Sequence, residues 1–142
     1  MGWKMTVMVR TAATKDLTFV SQDGYVDSAV VERKIEEGEV FVAEMGGNPV
    51  GYIRIEYRWS IRPYIAIIHV LEPYRGRGVG RALLSHVEKV LRDAGHSFLF
   101  SSSQVNEPQP QAWHRHMGFV ECGVINGINE GGVGEVFFGK PL

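Results

Sequence analysis

The sequence predicts a mixed α/β domain: a mostly antiparallel sheet with one βαβ unit at its centre and helices on both faces. Three observations predict it. Residues 64–71 are aliphatic except for Tyr64 and His69, the pattern of a central strand covered on both sides. A glycine-rich turn and an amphipathic helix follow, and residues 98–102 then read as a second strand, parallel to the first by the usual right-handed crossover. Around this unit, short strand-like runs separated by glycine-rich turns read as antiparallel pairs.

The elements can be justified in chain order. Residues 7–10 read as a first strand, and the segment from there to Tyr25 carries no clear period. Asp27 is placed to cap a helix over 28–37, which Gly38 ends. Residues 40–45 read as a strand, and Gly46-Gly47-Asn48-Pro49 as the turn into its antiparallel partner. In that partner Ile53, Ile55, Tyr57 and Trp59 share one face, while Arg54, Glu56 and Arg58 share a wet one. Tyr57, Trp59 and Tyr64 flank the entrance to the central strand, either as packing residues or as the lining of a pocket. The helix over 78–94 buries Leu83, Leu84, Val87, Val90, Leu91 and Ala94, shows Glu88 and Arg92 to water, and stops at Gly95. Pro108 and Pro110 delay the next helix to 111–117, with Gly118 as its stop. Residues 120–125 and 135–138 close the sheet as a hairpin.

A chain of 142 residues is read as one domain, able to bury a sizeable core. With 15 basic and 16 acidic residues it has no bulk attraction for nucleic acid or an anionic membrane. Any phosphate recognition must therefore be local, which favours a small ligand over a polymer. No run is long enough to span a membrane, and the N-terminus lacks a secretory apolar region. Met1-Gly2 with Thr6 is too little to imply myristoylation. Cys122 is the lone cysteine, so an internal disulfide is excluded, and it reads as a small buried filler. These features point to the cytoplasm.

The stretch with chemical content is Arg75-Gly76-Arg77-Gly78-Val79-Gly80-Arg81, between the central strand and the helix. A helix N-terminus offers its first N–H groups and the positive end of its dipole to an anion. Glycines let backbone approach an oxygen closely, and arginines pair with phosphate. The dinucleotide pattern G-x-G-x-x-G fails here, because Arg81 or Leu83 falls in its last place. No Gly-Lys-Ser/Thr triplet makes a P-loop, and no Gly-x-Ser-x-Gly elbow competes. Arg75, Gly78 and Gly80 do fill Arg-x-x-Gly-x-Gly. With the lead-in Ile68-His69-Val70-Leu71-Glu72-Pro73-Tyr74, and with Trp113-His114-Arg115-His116-Met117-Gly118-Phe119 further on, the chain resembles the GNAT superfamily of N-acetyltransferases over roughly residues 50–120.

The resemblance implies transfer of an acetyl group from acetyl-coenzyme A directly to a primary amine of a small molecule or peptide. In that family the acyl arm lies between the fourth and fifth strands. Carried over, main-chain groups at His69, Val70 and Leu71 would bond the pantetheine, and one of their N–H groups would hold the oxyanion. The amides of Gly76, Arg77, Gly78, Val79, Gly80 and Arg81, with the Arg75 side chain, would take the pyrophosphate. Asn106 resembles an asparagine that contacts the arm, although counting back from Gly118-Phe119 sets it one residue early. His114 stands where many members carry the tyrosine that protonates the departing thiolate. An imidazole of unperturbed pKa about 6.5 can donate a proton as well; the alternative is a histidine that packs a short helix. His116 points to another side of that helix, so the two make no metal pair, and no metal is expected. For the proton acceptor, Glu72, Glu56 and His69 all stay open. A non-catalytic acyl-CoA-binding module is the second reading, a salt-sensitive nucleic-acid binder a weaker third. The family also implies a homodimer through the C-terminal strands.

Overall fold

The computed structural model describes residues 6–142, so Met1 and Gly2 lie outside the described residues. The strands are β1 (Val7–Thr11), β2 (Val40–Met45), β3 (Asn48–Arg58), β4 (Arg62–Val70), β5 (Phe98–Gln104), β6 (Val120–Ile125) and β7 (Glu135–Pro141). The helices are α1 (Leu17–Val20), α2 (Ser28–Glu36), α3 (Val79–Asp93) and α4 (Pro108–His116). Among the described residues the sheet runs β1-β2-β3-β4-β5-β7-β6. The β4–β5 pair is parallel, and the β1–β2, β2–β3, β5–β7 and β6–β7 pairs are antiparallel. This is the mixed, mostly antiparallel sheet with a central βαβ unit that the patterning predicts.

The chain divides into two compact units, one reaching to Ile55 and resuming over Ala66–Val90, the other made of Glu56–Ile65 and Leu91–Leu142. In the first, Val20 of α1, Val31 and Ile35 of α2, and Val40, Val42 and Tyr52 of β2 and β3 form one buried cluster. The unpatterned segment before Tyr25 thus holds a 3-10 turn, Thr14–Asp16, running straight into the four residues of α1, together too short for a period to show. Asp27 is the residue before α2, but its side chain makes no capping bond; its carbonyl accepts from Val30 and Val31. Arg54 corrects the reading of β3 as wet on one face, because it is buried and ion-paired.

In the second unit Leu99, Val136 and Phe138 are buried between β5, β7 and α4. The helix α4 begins at Pro108, earlier than expected. Its prolines sit in the first turn, where no intrahelical N–H is needed, so they start the helix and do not delay it. Val90 and Ala94 are exposed near the end of α3, outside the buried stripe. Cys122 is exposed too, at the irregularity between Glu121 and Gly123 on the outermost strand β6, so it is not a buried filler. Trp59 leaves β3 before the strand could bury it. It sits in the β3–β4 turn at 84 % exposure, and Trp59 and Ser60 both adopt left-handed backbone, with φ of 52° and 65°.

Candidate active site

The glycine-rich loop joins β4 to α3 in the first unit. Arg75 has φ −69°, Gly76 +74° and Gly78 +83°, with Arg77 at negative φ between the glycines. Alternating hand along successive residues turns neighbouring amides toward one point, a concavity suited to an anion. A Cβ at Gly76 or Gly78 would meet nothing within 4 Å, so backbone conformation, not space, demands glycine there. The amide of Ala82 donates to the Gly78 carbonyl at 3.0 Å, the first i to i−4 bond of α3. The N–H groups of Val79 and Gly80 precede that bond and have no intrahelical acceptor. Arg75, Arg77 and Arg81 are exposed around them. Arg75 Nε donates to the Val70 carbonyl at 2.9 Å, tying the loop to the end of β4. Val79 turns its side chain into the core, so what it offers a ligand is its backbone.

Next to the loop, β3 and β4 approach closely. A Cβ at Gly51 would lie 2.9 Å from the His69 carbonyl oxygen and 3.1 Å from Val79 Cγ1. The Leu71 amide donates to the Val50 carbonyl at 2.9 Å, which commits one of the three backbone positions named from the sequence. The half-buried His69 ring lies beside Tyr52, 5.5 Å between centroids. Burial and the Arg75 charge push its pKa down, with Asp23 opposing, so the ring is neutral at pH 7. Of the other two proton-acceptor candidates, Glu56 is exposed enough to pair with Arg58 at 3.3 Å, and Glu72 is exposed in a short turn.

Behind His69 stands a cluster absent from the sequence reading. Tyr52 Oη donates to Asp23 Oδ1 at 2.7 Å, and Arg54 donates from both Nη atoms to the two Asp23 oxygens at 3.1 and 3.0 Å. Burial alone would raise the Asp23 pKa, but the Arg54 guanidinium and the Tyr52 hydroxyl outweigh it and hold the carboxyl below its usual range.

In the second unit, His114 is 4 % exposed and both its ring nitrogens are engaged. Nδ1 lies 2.8 Å from the Pro110 carbonyl, which can only accept, so Nδ1 carries the proton. Nε2 then accepts from the Ser101 hydroxyl at 2.7 Å. The ring stacks on Phe138, 4.7 Å between centroids. Burial drives its pKa down to about 4, against weaker opposition from the Pro110 carbonyl and Glu135. Ser103, on the same face of β5, has a buried hydroxyl with no hydrogen-bond partner. Asn106 lies exposed in the turn after β5.

The opposite face of β5 carries a second polar chain. Tyr64 Oη bonds to Ser102 Oγ, Ser102 Oγ donates to Glu135 Oε2 at 2.5 Å, and Asn129 Nδ2 donates to Glu135 Oε1 at 2.9 Å. The sequence reading missed Ser101, Ser102 and Glu135. The signal for the two serines was the polar run Ser101-Ser102-Ser103, out of character for the interior of a strand that opens Phe98-Leu99-Phe100. Among the described residues, no group of three His, Cys, Asp or Glu is placed to hold a metal, and no helix is long and apolar enough to cross a membrane.

Among the described residues, a seven-stranded mixed sheet whose central strand leads through an arginine-rich glycine loop into a helix N-terminus defines an α/β protein with a concavity suited to an anion. The chain belongs to the acetyltransferase (GNAT) family, whose model matches residues 7–119. It is 35% identical over 92 residues to streptothricin acetyltransferase of Streptomyces lavendulae, covering 63% of this chain and 48% of the relative. It is 37% identical over 94 residues to aminoglycoside N(6')-acetyltransferase type 1 of Stenotrophomonas maltophilia, covering 60% of this chain and 61% of the relative. The match thus spans about half to three-fifths of the length of these curated relatives. The crystal structure of Ard1 from Thermoplasma volcanium shares the fold with a TM-score of 0.85 at 17% identity, over 96% of this chain and 97% of that one.

Proposed function

We propose that this chain transfers an acetyl group from acetyl-coenzyme A to a primary amine of a small molecule or peptide. The observation that carries the reading is the loop at Arg75–Gly80: backbone of alternating hand, the first amides of a fifteen-residue helix and three exposed arginines nearby. Amides and guanidinium groups together recognise a diphosphate through charge-assisted bonds that water competes with poorly. The names of the relatives support the reaction class, one being a streptothricin acetyltransferase and another an aminoglycoside N(6')-acetyltransferase. Since Leu71 already donates to Val50, an amide that polarises the thioester carbonyl belongs to His69 or Val70.

For His114 the buried, doubly bonded ring favours packing over acid catalysis. A histidine of pKa about 4 carries no second proton to give at pH 7. His114→Gln is therefore expected to keep turnover within about tenfold of the wild type, whereas a loss of about a hundredfold with unchanged coenzyme affinity would return the acid role to this residue.

Calorimetric titration with acetyl-coenzyme A, with NADH and ATP as controls, tests the coenzyme assignment. Saturable binding of acetyl-coenzyme A is expected, and Gly80→Glu should abolish it by setting a negative side chain against the diphosphate. Unchanged affinity in that variant would remove the loop from the site.

A further inference from the structure

We propose that Glu135, held by Ser102 and Asn129, is the carboxylate that binds the ammonium of a cationic acceptor. The inference rests on the acetyl-transfer reading for the identity of its ligand as an acceptor, and on the second unit alone for its geometry.

The direction of the hydrogen bonds comes first. Ser102 has one proton and gives it to Glu135 Oε2, so the Tyr64 hydroxyl must be the donor in its short bond to Ser102 Oγ. The chain Tyr64 to Ser102 to Glu135 therefore points every proton toward the carboxylate. Asn129 adds one more donor, to the other oxygen. Each carboxylate oxygen accepts two bonds readily, so both keep a lone pair for a further donor.

All of these donors are neutral. Among the described residues no Lys or Arg nitrogen forms an ion pair with Glu135. The guanidinium nearest in the chain of contacts is that of Arg58, which lies over the Tyr64 ring at 4.4 Å and pairs with Glu56 instead. A half-buried carboxylate held only by neutral donors keeps its charge available, and an arriving ammonium would supply the cation that the fold does not.

The surroundings fit an organic ammonium better than a metal ion. Strand register sets Ser102 opposite Phe137 and Gln104 opposite Glu135, which places Ser102, Glu135 and Phe137 on one face. The Tyr64 and Phe137 rings lie 6.1 Å apart on that face. One carboxylate beside aromatic walls suits an alkylammonium, whose charge meets the oxygen while its carbon body meets the rings. Among the described residues no group of three His, Cys, Asp or Glu stands here to hold a metal ion.

Two probes of similar shape separate charge from fit. Benzylamine is an ammonium at neutral pH, and aniline is a neutral amine. Calorimetry on the full chain with coenzyme A present should show benzylamine binding about tenfold or more tightly than aniline, and Glu135→Gln should erase that preference with acetyl-coenzyme A affinity unchanged. Ser102→Ala, which removes one brace and leaves the charge, should weaken benzylamine by less. Equal benzylamine affinity in the wild type and Glu135→Gln, both folded by thermal melting, would overturn the assignment. So would wild-type protein that does not distinguish the two probes. A wild type that binds no acetyl-coenzyme A would remove the acetyl-transfer reading itself, and the acceptor role with it.

Discussion

Each unit holds a tyrosine hydroxyl tied to a carboxylate, and the two are balanced in opposite ways. In the first unit Tyr52 bonds Asp23 directly and Arg54 closes on the same carboxylate with two bonds, the ion pair being 4 % exposed on each side. In the second, Tyr64 reaches Glu135 through Ser102, and Asn129 adds a further neutral bond to a half-buried group. A fully buried carboxylate needs a cation from the fold, and once paired it has nothing left to offer a ligand. A half-buried one can be held by neutral donors, and its charge stays available. The same residue types thus build a brace in one place and a receptive site in the other.

The largest test of that contrast is stability. Asp23→Ala leaves Arg54 buried without its partner and should cost about 3–5 kcal/mol. Glu135→Gln keeps acceptors and donors for its neutral neighbours and should cost less than about 1 kcal/mol. Urea denaturation of both variants decides the matter: equal losses would mean that Glu135 is as structural as Asp23.

Acidification gives a second, somewhat smaller effect, and it sharpens the view of His114 as a buried neutral group. Its folded pKa of about 4 lies below the unfolded value of about 6.5, so the unfolded chain binds the proton first. Its contribution is therefore complete above that unfolded value and is lost as pH falls through the folded one, on the order of 3 kcal/mol in all. Asp23, held below the ordinary carboxylate range, loses its contribution only at lower pH still. His114→Gln should flatten the stability profile between about pH 6.5 and 4, and an unaltered profile would show that other groups set it.

The smallest effect lies outside both clusters. Replacing Trp59-Ser60 with Asn-Gly puts residues that favour left-handed backbone into the β3–β4 turn, whose φ values already lie there. A gain of about 1 kcal/mol is expected, since the exposed indole gives up little burial. A thermal midpoint that falls would mean that the Trp59 side chain supports the fold.

These regions also mark what could be read from the chain. The turn between β4 and α3 was legible because its requirements are local: the glycines and the helix start lie within a few consecutive residues. The order of strands around it followed from periodicity and turn chemistry. Arg54 was misread because its partner comes from Asp23, in a segment whose helical turns are too short to show a period. Glu135 and Ser102 meet only through the β5–β7 register, which no local pattern encodes. Cys122 was expected inside because a free cysteine usually packs as a small apolar residue, but every residue of the outermost strand β6 is exposed. His114 was placed on the right helix, but whether its nitrogens were already engaged depended on Ser101 and the Pro110 carbonyl.

The glycines in and beside the loop after β4 restrict the chain's substitution alphabet in two different ways. At positions 76 and 78 the barrier is handedness alone, so asparagine, which tolerates left-handed backbone, is an admissible letter. At position 51 the barrier is the His69 carbonyl itself, and no L-residue larger than glycine fits without moving β4. Drift in this lineage can therefore rewrite the loop by single steps, while Gly51 can change only together with the strand that faces it.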